Sequence, residues 1–368
     1  MDTRRVWTVS GQDLGQRPDS DRLLVLDGLR GFAAIAVVLY HFGSVLGVRH
    51  LLAHAYLAVD FFFGLSGFVL ARAYDPDVSV HRIGARRFVL KRLIRLWPQI
   101  LLGAAVGLAM TAASSLVVGG GFHFTLPLAI SFLATCLLVP GIPWLNGAFW
   151  SLFAELAVNA LYLPLRFLGA VGLSVAAALS LLVMIVSVTQ LGSIEIGPGD
   201  WRHLPLGMVR AAPPFLEGVL ISRYGQRIDR GLGFPPAILF AVMLLVFVFP
   251  GYSVLHPLPD MLSALVILPA ILYLGAASRP GRRLGQACRA LGDLSYPLYA
   301  IHLPVVVYLG GFMLRARLAW PLDLALVLLA TVGLVLVAHL DYRFYDAPVR
   351  QGLRRLLIRR GRRRIQVG

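Results

Sequence analysis

The chain has 368 residues, 58% of them hydrophobic, and a mean hydropathy of +0.76; a soluble domain, whose apolar share is nearer half, does not carry that much. A net charge of +16 would suit nucleic acid, but the arginines cluster between apolar stretches, as the orientation rule for membrane proteins requires, and nucleic acid is set aside as a partner. The two cysteines, Cys136 and Cys288, stand far apart, so neither a disulfide framework nor a thiolate metal site is expected.

Residues 1–22 form a polar lead. Segments long enough to cross a bilayer, about twenty residues each, then lie near 24–46, 52–74, 88–113, 149–166, 168–190, 205–222, 232–250, 256–277, 291–314 and 319–345. The first of them carries Asp27 and Arg30, which suits a span and not a cleavable leader. Ten crossings place the basic clusters at Arg4 and Arg5, Arg72 to Arg95, Arg223 to Arg230, Arg279 to Arg289 and Arg350 to Arg364 on one side, with both termini cytoplasmic. The apolar stretch 124–140, short and bracketed by Pro127 and Pro140, is then a re-entrant or interfacial helix. The fold class is therefore all-α: a polytopic membrane helical bundle over 23–346, followed by a basic cytoplasmic tail over 347–368 that anionic lipid headgroups attract. No internal repeat is visible, which weighs against the inverted-repeat transporters.

Polar stripes on these spans mark the candidate site. Arg30 and His41 are eleven residues apart, close to three helical turns, so they share one face about 16 Å apart along the axis. Ionisable side chains inside a span are costly and point to function. The second span runs the other way and places Asp60 at the depth of His41, where a carboxylate would fix the tautomer of the imidazole and raise its basicity. Arg92, Arg95 and Gln99 share a face at the start of the third span, and guanidinium groups on adjacent turns form a fork suited to phosphate oxygens. Ser151, Glu155, Asn159 and Tyr162 form a stripe behind Trp150, and Ser295, Tyr299 and His302 form another. Glu155 is a catalytic candidate beside His41 and Asp60; Ser151, Asn159, Tyr299 and His302 are candidate substrate contacts. Arg210 and Glu217 are placed to pair structurally, and His339, Tyr342 and Asp346 also read as structural. No His, Asp and Glu cluster has metal-ligand spacing.

Taken in order, these motifs resemble the acyltransferase family 3 membrane proteins, bacterial enzymes that O-acylate cell-surface and exported saccharides. The matching stretches are Leu26 to Phe32 leading to His41, Val59 to Phe62 with Ser66-Gly67-Phe68, Arg92 to Arg95, Trp150-Ser151-Leu152 followed by Glu155, and Ser295 to Tyr299 followed by His302. The resemblance implies an essential histidine at His41, ten crossings of the bacterial inner membrane, and Arg30, Arg92 and Arg95 handling an acyl-CoA, commonly acetyl-CoA, that enters from the cytoplasm. It implies a saccharide or glycosylated acceptor, and with no metal-ligand spacing in the sequence no metal is required. Where the family often shows an aromatic pair after the glutamate, this chain has Asn159 and Tyr162 before Pro164, a departure that bears on acceptor preference. The alternative is a transporter or flippase whose intramembrane His, Asp and Glu couple substrate or protons.

Overall fold

The structure is a computed structural model. It describes residues 23–48, 51–78, 84–117, 119, 121–194, 204–225, 234–249, 257–317 and 319–365; the polar lead of residues 1–22, with Arg4 and Arg5, lies outside the described residues. Among the described residues all regular structure is helical. In chain order the helices are α1 (Leu24–Leu46), α2 (Ala58–Val78, entered by a 3-10 turn at Ala55–Leu57), α3 (Ala85–Val117), α4 (Leu126–Leu137), α5 (Phe149–Leu165), α6 (Ala170–Leu191) and α7 (Leu204–Tyr224). They continue with α8 (Pro236–Val248), α9 (Pro257–Leu262), a π turn at Ser263–Ile267, α10 (Leu268–Ala277), α11 (Arg282–Ala316) and α12 (Trp320–Asp341). A second π turn at Tyr342–Asp346 leads into α13 (Ala347–Ile365).

Eight of the ten expected crossings fall on helices long and apolar enough to span a bilayer among the described residues. The other two, 149–166 and 232–250, fall on α5 and α8, which have 17 and 13 residues. The 124–140 stretch is the 12-residue α4, capped by Thr125 and opened by Pro127. At about 18 Å it is shorter than the ~30 Å hydrocarbon core. Length hardly distinguishes α4 from α8; the placing of the arginines does.

Two tight helix pairs frame the bundle, and small residues explain both. On α1, a Cβ at Gly31 would run into the Leu291 carbonyl of α11, while one at Gly292 would meet Asp27. On α2, a Cβ at Gly67 would strike the Phe215 carbonyl of α7, and Gly218 lies as closely on the Gly64 carbonyl. Without side chains at these points the backbones approach each other directly, the usual basis of association in lipid. Outward, α6 exposes Val171, Val175, Leu179 and Val186, and α12 exposes Leu328, Leu329, Val332 and Leu336, faces that suit contact with acyl chains. Inward lie Asp60, Arg92, Gln99, Arg210, Asp260, His302, Asp341 and Asp346, all buried.

Helix α11 begins nine residues before the expected span and runs for 35 residues, about 50 Å, well beyond the hydrocarbon thickness. It carries Pro297 and Pro304 inside it. Pro304 has no N–H, so the carbonyl of Ala300 lacks its helical donor; Asn146 Nδ2 supplies one at 2.7 Å. Such substitution by a neighbouring side chain is what allows proline within a membrane helix. Nor does the last span end at Tyr345. The π turn carries the chain straight into α13, so the segment read as a basic juxtamembrane tail begins as a helix in contact with α3.

Candidate active site

The elongated end of α11, the start of α3 and the α12–α13 junction enclose, with α1, α2 and α5, a cavity of about 310 Å³. Its polar wall includes Arg30, Ser66, Arg95, Ser151, Glu155, Ser295 and Tyr299. Five sequence-predicted residues, Arg30, Arg95, Ser151, Glu155 and Tyr299, therefore meet in one place.

Arg30 is fixed from three directions. Its Nε donates to Ser295 Oγ at 2.7 Å, its Nη2 donates to the Gly292 carbonyl at 2.6 Å, and Asp27 lies 3.4 Å from Nη2. The absence of a side chain at Gly292 leaves room for α1 against α11 at this level. Glu155 accepts from Ser66 Oγ at 3.0 Å, and the same hydroxyl lies 3.3 Å from Asn159 Oδ1. Asn159 is buried behind this pair and does not line the cavity. At the inner end, Ser151 Oγ and Tyr299 OH share a hydrogen bond of 2.6 Å.

Arg92 corrects the expectation of a two-arginine fork. Only Arg95 reaches the cavity. The Arg92 guanidinium lies 5.6 Å from the Tyr74 ring centre and 5.8 Å from that of Phe88, with a buried Nε that has no hydrogen-bond partner. Residues three apart are 300° around a helix, and that 60° offset is enough to put one guanidinium in the cavity and the other among rings. Gln99, on the same face, donates to Asp341 at 2.7 Å and ties α3 to α12.

Beyond Tyr299 lies a pair of imidazoles. The rings run in sequence: Phe62 to Tyr299 at 5.8 Å, Tyr299 to His302 at 5.3 Å, His302 to His41 at 5.1 Å. His41 Nδ1 is 2.8 Å from the Val37 carbonyl and His302 Nδ1 is 2.8 Å from the Tyr299 carbonyl. A carbonyl only accepts, so each Nδ1 carries the proton and each Nε2 is left with its lone pair. His302 Nε2 is buried without a partner. Neither histidine lines the cavity; Phe62 and Tyr299 are in its wall, and Tyr299 stands between that wall and His302 in the ring sequence.

Asp60 is not beside His41. Its carboxylate accepts two hydrogen bonds from Arg210, at 3.0 Å from Nε and 2.6 Å from Nη2, and Arg210 Nη2 also donates to the Tyr56 carbonyl at 2.8 Å. Both side chains are about 1% exposed. The sequence pairs Arg210 with Glu217, but Asp60 offers a bidentate acceptor across the close α2–α7 contact and takes it instead. Glu217 is left with a buried Oε2 that has no hydrogen bond. A second pair extends this network: His54 Nδ1 lies 2.7 Å from Asp260 Oδ1, and Tyr56 OH donates to the other Asp260 oxygen.

Other cavity residues escape the sequence reading. Ser66 and Tyr296 sit inside stretches noted for other features, whereas Ser295 stands on the stripe already read with Tyr299 and His302. Asp346, Arg350 and Arg354 come from the supposed structural end and tail, and their four-residue spacing is the signal that aligns them on one face.

An acyltransferase domain matches residues 23–340. The chain belongs to that acyltransferase family. It is 28% identical over 354 residues to acyltransferase MdmB of Streptomyces mycarofaciens, covering 86% of this chain and 88% of that protein. It is 36% identical over 157 residues to protein 2 in the picA locus of Rhizobium radiobacter, covering 39% of this chain and 81% of that protein. It is also 23% identical over 360 residues to O-acetyltransferase OatA of Staphylococcus aureus, covering 89% of this chain and 57% of that protein's length. No solved structure matches. With its apolar helices, this member of the family is a multi-pass membrane O-acyltransferase.

Proposed function

We propose that the protein moves an acyl group, acetyl by preference, from acyl-CoA to a hydroxyl of a saccharide or glycosylated acceptor. The donor enters from the side of the basic clusters, which we assign to the cytoplasm of a bacterial cell bounded by this inner membrane, with both termini on that side. The supporting observation is the cavity that has Arg30 and Arg95 in its wall and ends one ring short of the His41–His302 pair.

In this reading the arginines hold the CoA phosphates while the pantetheine arm lies along the cavity toward Tyr299. Movement of the Phe62 and Tyr299 rings admits the thioester to His41. The acceptor hydroxyl gives its proton to His41 Nε2 as its oxygen bonds to the thioester carbonyl carbon. Collapse of that adduct breaks the carbon–sulfur bond, and the imidazolium returns the proton to the departing CoA thiolate. Ser151 and Tyr299 position the acyl end, His302 packs directly on the His41 ring and holds it in place, and Glu155 orients the donor from the wall.

The test is complementation of a deletion strain, with its saccharides compared by mass spectrometry. The wild-type gene should restore an acyl increment. His41→Ala should not, while accumulating normally in the membrane. Restoration by His41→Ala would remove the base from the mechanism.

A further inference from the structure

The cavity's arginines stand at different depths. Ser151 and Tyr299 at the inner end are 5% and 7% exposed, the side chain of Arg30 is 25% exposed, and Arg354 is exposed at the mouth. Arg354 lies one turn beyond Arg350 on α13, a rise of about 6 Å.

Their pairing differs as well. Arg30 is held by Ser295, Gly292 and Asp27. Arg350 is held by Asp346, whose carboxylate is itself buried. Among the described residues Arg354 has neither a carboxylate at ion-pair distance nor a hydrogen-bond acceptor. A guanidinium with its donors free, at the rim of a cavity and beside a second, oriented guanidinium, suits a phosphate group.

We propose that Arg354 binds the 3′-phosphate of the CoA ribose, so that α13 sets donor specificity. The inference rests on the donor reading above. CoA carries phosphate in two places: a pyrophosphate next to the pantetheine arm and a phosphomonoester on the ribose at the far end. With the thioester inward, the pyrophosphate falls at the level of Arg30 and Arg95. The monoester comes last, at the rim, where Arg354 is. A lipid headgroup offers the same phosphate chemistry, and the test separates the two sources.

Full-length protein in phosphatidylcholine nanodiscs, with and without phosphatidylglycerol, is titrated calorimetrically with CoA and with 3′-dephospho-CoA. Wild type should bind CoA about tenfold or more tightly, the scale of one charge-assisted contact. Arg354→Gln should weaken CoA by about that factor, leave dephospho-CoA unchanged, and do so in both lipids; Arg354→Lys should keep part of the preference. Equal weakening of both ligands, or of neither, overturns the proposal. So does loss of phosphatidylglycerol retention with the CoA preference intact, which would assign Arg354 to lipid. Wild-type protein that binds neither ligand refutes the donor reading itself, whereas equal binding of both refutes only the 3′-phosphate contact.

Discussion

Replacing Arg210 alone should damage the protein far more than replacing Arg210 and Asp60 together. Arg210→Met removes two hydrogen bonds to the Asp60 carboxylate and one to the Tyr56 carbonyl, leaving a carboxylate that is 1% exposed with no counter-charge. Breaking a buried pair in this way costs about 3–5 kcal/mol. In the double variant Asp60→Leu, Arg210→Met no charge is stranded, and the lost contact to the Tyr56 carbonyl accounts for about 1 kcal/mol. The double variant should therefore lie within about 2 kcal/mol of wild type, giving a coupling of at least about 2 kcal/mol across the four-protein cycle. Unfolding free energies from detergent denaturation measure it. The same proteins, assayed for acyl transfer, distinguish an anchor from a catalytic group: if Asp60 serves α2–α7 cohesion, the double variant keeps transfer within about tenfold of wild type, since no reacting group is removed. Additive stabilities would refute the buried-pair reasoning. A stable double variant without transfer would return Asp60 to the chemistry of His41.

Two further predictions concern the cavity and the packing. Glu155→Gln preserves an acceptor for Ser66 while removing charge; if Glu155 takes part in the reaction, kcat should fall about 100-fold or more with no rise in the donor KM, and a change under about twofold would remove it from the mechanism. Gly67→Val places a side chain against the Phe215 carbonyl and should destabilise by about 1–3 kcal/mol or more in thermal melts, whereas Gly311→Ala, with nothing within 4 Å of the new Cβ, should not. Equal melting of the two variants would show that the α2–α7 approach is not tight.

The helices were legible in the sequence because hydropathy and charge act on contiguous residues. Spans such as 24–46 and 205–222 map closely onto α1 and α7, and Arg30, Arg95 and Glu155 stand out as costs inside apolar runs. Pairing was not legible. Asp60 and Arg210 are 150 residues apart, and a stripe on one helix says which face is polar without saying which stripe it meets. The α13 arginines show a related limit: a basic run after the last span has the same composition whether it lies on lipid or folds under the bundle. The π turn at Tyr342–Asp346, which leaves no trace in periodicity, joins α12 to the helix whose Arg350 and Arg354 line the cavity. Pro304 and Asn146 show the converse, since the proline announces a carbonyl in need of a donor and only the fold identifies the asparagine that supplies it.

The imidazole geometry explains why the carboxylates are free to do other work. In water-filled sites a carboxylate commonly fixes the tautomer of a catalytic histidine. Here the Val37 carbonyl, four residues back on the same helix, receives Nδ1–H from His41. The orienting group costs no additional buried charge and cannot be displaced without unwinding α1. In the neutral ring, Nδ1–H on the Val37 carbonyl leaves Nε2 as the nitrogen able to accept a proton. Asp60 can then hold Arg210 between α2 and α7, and Glu155 can face the cavity through Ser66. Both carboxylates thus have partners other than His41, whose Nδ1 proton is placed by its own helix.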